Sequence, residues 1–153
     1  MRHRFLFILS VLLTLVACES YDCTLYNYVG MYGSFYQDDK AAAITDALTI
    51  TACGTDQVLL NQQANTSKLI LPLSYWQDED TLVFHVNGIR DTVWVTKTNL
   101  VHYEAPDCPM TLFHTIQDVR STHNFIESIT ITRPSVNYET TENLQIHLHN
   151  ASN

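Results

Sequence analysis

Short segments that alternate apolar and polar residues dominate this chain. In the stretch ALTITA at 47–52, Leu48 and Ile50 fall on one face and Thr49 and Thr51 on the other. That is the two-residue period of a half-buried β-strand. A turn follows at 54–56, and Val58, Leu59 and Leu60 open the next strand. Residues 61–67 are polar and loop-like. The apolar run at 68–73 is interrupted by Pro72, which suits an edge or a strand end because proline has no N–H for the ladder. Further strands are predicted at 110–116, 125–132 and 143–149; in the last, Leu144, Ile146 and Leu148 alternate with Gln145, His147 and His149.

The clearest hairpin is DTLVFHVNGIRDTVWVTKT. Leu82, Phe84 and Val86 share one face, and Asn87-Gly88 is a strong turn signal. A two-residue loop at 87–88 and a four-residue loop at 87–90 both bring Val93 and Val95 beside Leu82 and Phe84. Trp94 then points the opposite way, where a covering strand is the expected neighbour. A slip of one residue would expose the whole apolar set, so the face is fixed even where the turn length is open. No stretch shows an amphipathic helical stripe; the alanine cluster at 40–47 lacks the period. Abundant Thr, Val, Ile, Tyr and Phe suit strands. Eight or nine short strands predict an all-β fold, an antiparallel β-sandwich, immunoglobulin-like or related, in a single domain spanning 24–153.

The start of the chain has a different pattern. Arg2, His3 and Arg4 precede an apolar run at 5–17, broken only by Ser10 and Thr14. This is well short of the roughly 20 residues that span a bilayer, and it has the length of a secretory h-region behind a positive n-region. It ends Leu15-Val16-Ala17-Cys18, which resembles a bacterial lipobox. The resemblance implies cleavage after Ala17, a thioether-linked diacylglycerol on Cys18, and Cys18 as the new N-terminus. A thiol is the nucleophile that takes the lipid, a small Ala17 admits the peptidase, and Leu15 fills an apolar subsite. The expected organisation is a signal peptide at 1–17, a lipidated N-terminus and short tether at 18–23, and the domain beyond. Each buried methylene contributes about 0.8 kcal/mol, and two or more chains hold a protein to a membrane it does not span. The tether reaches at most about 17 Å, so the domain sits close to its membrane.

Charge narrows the partners. The chain carries 16 Asp and Glu against 8 Lys and Arg, a net −8. Losing Arg2 and Arg4 with the signal leaves 6 bases, hence −10. Such a surface argues against nucleic acid and against electrostatic adhesion to anionic lipid. The expected partners are the membrane, through the lipid, and an envelope protein or glycan.

Four cysteines stand at 18, 23, 53 and 108. With Cys18 lipidated, three remain and one is left over. Cys23–Cys108 is the expected disulfide, Cys53–Cys108 competes with it, and no pairing at all is a third arrangement. Closing a loop of some 85 residues stabilises by roughly 4 kcal/mol in the chain-entropy model. No Cys-x-x-Cys occurs, so neither zinc nor thioredoxin-like chemistry is suggested.

Few residues suggest chemistry. His147 and His149 lie two apart, a spacing that puts both imidazoles on one strand face, where a third ligand from His85, His114, His123 or an acid would complete a metal site. Two solvent-facing histidines near a polar C-terminus are the simpler reading. Gln77-Asp78-Glu79-Asp80 offers oxygen ligands but lacks the spaced acids and glycine of a calcium loop, and reads as a solvated turn. Trp76 and Trp94 are candidate sugar-stacking rings. Tyr26, Tyr28, Tyr32, Phe35 and Tyr36 cluster near the start, which core packing with a few exposed rings explains as well as a binding surface does. There is no Gly-x-Ser-x-Gly, His-Glu-x-x-His or phosphate-binding loop. The sequence therefore assigns no catalytic residue and no cofactor, and suggests a non-enzymatic accessory or structural binding module. The rivals are a glycan-binding lipoprotein using Trp76 and Trp94, and a metal-dependent or hydrolytic enzyme built on the late histidines.

The stretches TITACGTDQVLLN, LPLSYWQDEDTLVFH, APDCPMTLFHTI and RSTHNFIESITITRPSVNYETTENLQIHL resemble a family of small lipoproteins of the Bacteroidota cell envelope whose function is uncharacterised. The resemblance covers most of the mature chain. It implies export and an outer-membrane lipid anchor, and brings no reaction, substrate or site residues. Glu19 and Asp22 loosely resemble the acidic surface-export signal of that group, interrupted by Ser20 and Tyr21. Asp80-Thr81-Leu82 and Asp91-Thr92-Val93 resemble its short O-glycosylation motif, although two strand starts account for them better.

Overall fold

The computed structural model describes residues 23, 29–55 and 57–150. The signal segment, Cys18, Glu19, Asp22, Tyr26 and Tyr28 lie outside the described residues. Among the described residues the chain is all-β: β1 (Met31–Gln37), β2 (Lys40–Ala41), β3 (Leu48–Ala52), β4 (Gln57–Gln63), β5 (Lys68–Leu71), β6 (Glu79–Val86), β7 (Ile89–His102), β8 (Thr111–Ser121), β9 (Ile126–Ile131), β10 (Ser135–Val136) and β11 (Leu144–Leu148). Nine of these have four residues or more; β2 and β10 are two-residue pieces.

The strands form two sheets. One has six strands in the order β10-β8-β7-β6-β3-β4. The other has five, in the order β2-β1-β11-β9, with β5 also paired to β1. Their inner faces pack together as a β-sandwich. Phe35, Leu71 and Ile146 from the five-stranded sheet meet Ile50, Phe84 and Val95 from the six-stranded one, all essentially inaccessible to water.

One pairing departs from the antiparallel expectation. β1 lies parallel to β11, with Gly33 opposite Leu144 and Phe35 opposite Ile146. This strand, MYGSFYQ, shows little alternation because it is central and largely buried: Met31, Gly33, Ser34 and Phe35 are all buried. Packing is close at Gly33: a Cβ there would lie 3.0 Å from Leu69 Cδ1, so a larger residue needs the Leu69 side chain to give way.

The hairpin of β6 and β7 takes the shorter of the two expected turns. Val86 pairs with Ile89, and both loop residues have positive φ, 49° at Asn87 and 78° at Gly88. Two consecutive left-handed residues make the type I′ turn that matches strand twist, which is why Asn-Gly stands here. Leu82, Phe84, Val93 and Val95 face the core as their parity requires.

β7 and β8 are longer than the pattern suggested. They pair from Val93–Ser121 out to His102–Thr111, past the start of β6, so their far end projects as an arm. At that end Cys108 bonds to Cys23, with Cα atoms 5.5 Å apart, leaving Cys53 as an exposed free thiol. The sandwich thus has one end with the disulfide, residues 72–78 and the start of β1. Its opposite end holds the Asn87-Gly88 turn, the β8–β9 link and the end of β11.

Buried polar side chains tie the connections down. Asn143, fully buried, accepts the Tyr32 N–H on Oδ1 at 3.0 Å and donates from Nδ2 to the carbonyls of Arg133 and Ser135 at 2.9 and 2.8 Å. One amide thereby joins β1 to the link between β9 and β10, satisfying backbone groups that burial would otherwise leave unpaired.

Candidate functional site

At the end away from the disulfide a cleft of about 580 Å³ opens between the sheets. Val86, Ile89, Phe125 and Leu148 give it an apolar floor, and Asn87, Asn124, Asp46 and His149 supply polar groups. A concave apolar site with a few polar groups is the usual setting for ligand recognition.

The β8–β9 side of this cleft is held by a single carboxylate. Asp91 is completely buried. Its Oδ1 accepts the Thr122 hydroxyl at 2.6 Å and the Asn124 N–H at 2.7 Å; its Oδ2 accepts the N–H groups of Phe125 and Ile126, both at 2.8 Å. Burial on its own would raise the carboxyl's pKa. The hydrogen bonds from the Asn124 backbone, the Thr122 hydroxyl and the Ile126 and Phe125 backbones outweigh it, so the pKa lies below the ordinary aspartate value. Asn124 in turn donates from Nδ2 to the Arg90 carbonyl at 2.7 Å. The chain crosses here from one sheet to the other, and Asp91 fixes the crossing.

A second polar group lies on the same inner face toward the disulfide end. Parity explains it: Asp80 stands two residues before Leu82, and Lys97 two after Val95. The Lys97 side chain is wholly buried and its Nζ lies 3.3 Å from Asp80 Oδ2. Nζ also donates to the Gln77 carbonyl, and Asp80 Oδ2 accepts the Ser74 N–H at 3.1 Å. His114 Nδ1 sits 2.7 Å from Asn99 Oδ1, while Asn99 Nδ2 donates to the Gln77 carbonyl at 3.2 Å. With Oδ1 as acceptor, Nδ1 carries the imidazole proton. Tyr75 stacks over His114 at 6.4 Å between centroids. Burial first, then the Lys97 charge, lowers the His114 pKa to about 4 against an opposing pull from Asp80, so the ring is neutral at pH 7. The cluster clamps residues 74–77 onto β7 and β8. Its lysine and histidine are out of reach of solvent, which limits what they can do chemically to positioning that loop.

This arrangement corrects the expectation for the acidic run at 77–80. Asp80 is not a solvated turn residue but one partner of a buried ion pair, and Glu79 bonds Arg120 Nη2 at 2.7 Å. Asp80 and Asp91, which open the two Asp-Thr motifs, bracket the apolar inner face at its two ends.

The other candidate residues are scattered. Trp76 is 85% exposed at the lip of a 240 Å³ cavity that also borders Cys53, Ser74 and Asp80. The Ser74 hydroxyl is buried there without a partner. Trp94 is half-buried on the outer face, with the Arg120 guanidinium 5.5 Å above its ring. His147 and His149 do not act as a pair. The register shifts between His147 and Leu148 and the strand then ends. His147 packs by Tyr36 with Asp39 3.9 Å away, whereas His149 borders the cleft. Among the described residues no group of three His, Cys, Asp or Glu side chains is arranged to hold a metal ion.

A family model matches residues 47–148, from β3 to the end of β11. The chain belongs to the family of unknown function DUF6452. The matched span of DUF6452 holds Asp91, the Asp80–Lys97–His114 cluster and the β7–β8 arm. No curated protein and no solved structure matches the chain.

Proposed function

We propose that this DUF6452 member is a lipid-anchored protein of the bacterial cell envelope, of the Bacteroidota lipoprotein kind its sequence resembles, and that it works as a non-enzymatic binding module. The observation that carries the reading is Leu15-Val16-Ala17-Cys18 followed, five residues on, by a cysteine bonded to the domain. A disulfide suits an oxidising compartment outside the cytoplasm. Tethering one end leaves the 580 Å³ cleft on the opposite end, facing away from the membrane and open to a ligand. Its amide groups, the Asp46 carboxylate and the apolar floor suit a hydrogen-bonding ligand segment of a protein or glycan. The non-enzymatic reading is supported by Lys97 and His114, which are sealed beneath the 74–77 loop.

The test is metabolic labelling with an alkyne fatty acid in the native host. The wild type is expected to take up label and partition into detergent, and Cys18→Ala to do neither. Equal labelling of both, or of neither, overturns the anchor.

A glycan-binding reading is favoured by one observation, the exposure of Trp76 beside a cavity. Envelope oligosaccharides that quench or blue-shift tryptophan emission in the wild type, but not in Trp76→Ala, would support it. Identical titrations of the two proteins would discard it.

A further inference from the structure

The arm formed by β7 and β8, with its connecting loop, carries four of the nine exposed large apolar side chains among the described residues. Leu100 is 67% exposed, Tyr103 57%, Met110 52% and Val101 49%. Neighbouring strand residues point to opposite faces, so Leu100 and Val101 leave both faces of the arm apolar. A sheet that merely met water on one side would alternate. Behind them His102, Phe113 and Tyr138 form a ring cluster, with His102 stacked on Phe113 at 4.2 Å and Tyr138 edge-on to Phe113 at 5.0 Å. The tip therefore stands on a firm base.

The disulfide says what this tip faces. It holds residue 23 at the arm, and residue 18 lies five residues further back, within about 17 Å of extended chain. Resting on the lipid-anchor reading, we infer that the β7–β8 tip is a second membrane contact: Leu100, Val101, Tyr103 and Met110 dip into the lipid interface beside the acylated N-terminus. Tyrosine suits that boundary, having an apolar ring and a polar hydroxyl. The stretch from 98 to 111 contains Glu104 and Asp107 and no Lys or Arg. The contact is thus apolar rather than electrostatic and fits a surface of low charge. The four side chains expose on the order of 400 Å², about half of the ~800 Å² per partner that a stable protein interface buries. That favours lipid over a second copy of the chain. The contact would also fix orientation, keeping the 580 Å³ cleft pointed away from the bilayer.

The full-length lipidated protein, placed in phosphatidylethanolamine–phosphatidylcholine vesicles containing interfacially brominated lipid, tests this. Leu100→Trp reports on the tip and Ile89→Trp, also half-exposed, on the cleft end. Flotation with the vesicles, together with added Leu100→Trp emission quenched at least twofold more than that of Ile89→Trp, is the expected result. Flotation with equal quenching overturns the tip contact and leaves the anchor standing. A blue shift at Leu100→Trp without quenching points to self-association and also overturns it. Failure to float overturns both the contact and the anchor.

Discussion

Cys23 and Cys108 are bonded across 85 residues of sequence, and the bond lies at the tip of the longest hairpin rather than within the core. The start of the domain is thereby fastened to its projecting arm. Loop closure in the unfolded chain then predicts a stability loss of roughly 4 kcal/mol when the bond is removed. Urea unfolding of the oxidised wild type against Cys23→Ser/Cys108→Ser measures it. An unchanged midpoint would mean that the crosslink constrains nothing.

Asp91 predicts an acid limb in the stability curve. Its pKa is depressed in the folded state, so its contribution is complete above the unfolded value near 3.9 and is lost as pH falls through the folded one. Asp91→Ala leaves three backbone N–H groups and the Thr122 hydroxyl without their acceptor and is expected to cost about 3 kcal/mol or more. Asp91→Asn keeps one acceptor, costs less, and flattens the slope below pH 4. Urea midpoints between pH 2.5 and 7 separate these outcomes.

His114 acts in a different window. Its folded pKa of about 4 lies below the ordinary 6.5, so between those values the unfolded state binds a proton that the folded state does not. Stability therefore rises with pH across that interval, and on the order of 3 kcal/mol is lost on going from pH 6.5 to 4. The imidazole proton resonances of His114 should titrate near pH 4, and His114→Gln should remove this limb. Titration near 6.5 would contradict the buried placement.

The Asp80–Lys97 pair predicts non-additive substitutions. Lys97→Met alone leaves a buried carboxylate, and Asp80→Leu alone a buried ammonium; each is expected to cost about 3–5 kcal/mol. The double substitution is expected to cost less than either single one, because no uncompensated charge remains. A thermodynamic cycle by urea unfolding checks this, and simple additivity would show that the two groups are not coupled.

The sequence reveals the β6–β7 hairpin most fully, down to its inner face, because that face alone is buried and the alternation is clean. It hides β1, whose central position buries Met31, Gly33, Ser34 and Phe35 in near succession and erases the period. It also hides the reach of β7 and β8, where Lys97, Asn99 and His114 occupy inward positions that look polar. The polar cluster itself has a legible trace. Asp80, Asp91 and Lys97 continue the two-residue parity of the hairpin's apolar residues, so their inward direction follows from the pattern. Their partners do not: Ser74, Gln77, Thr122 and Asn124 arrive from loops whose paths only the fold determines. His147 and His149 mislead for a local reason: β11 ends at Leu148, so His149 lies beyond the strand and does not share its face.

Mass spectrometry of the N-terminal peptide from protein purified out of native membranes decides whether Cys18 is lipidated. The expected product is a peptide that begins at Cys18 and carries acyl chains on that residue. A peptide that runs through residues 1–17 into an unmodified Cys18 would contradict it.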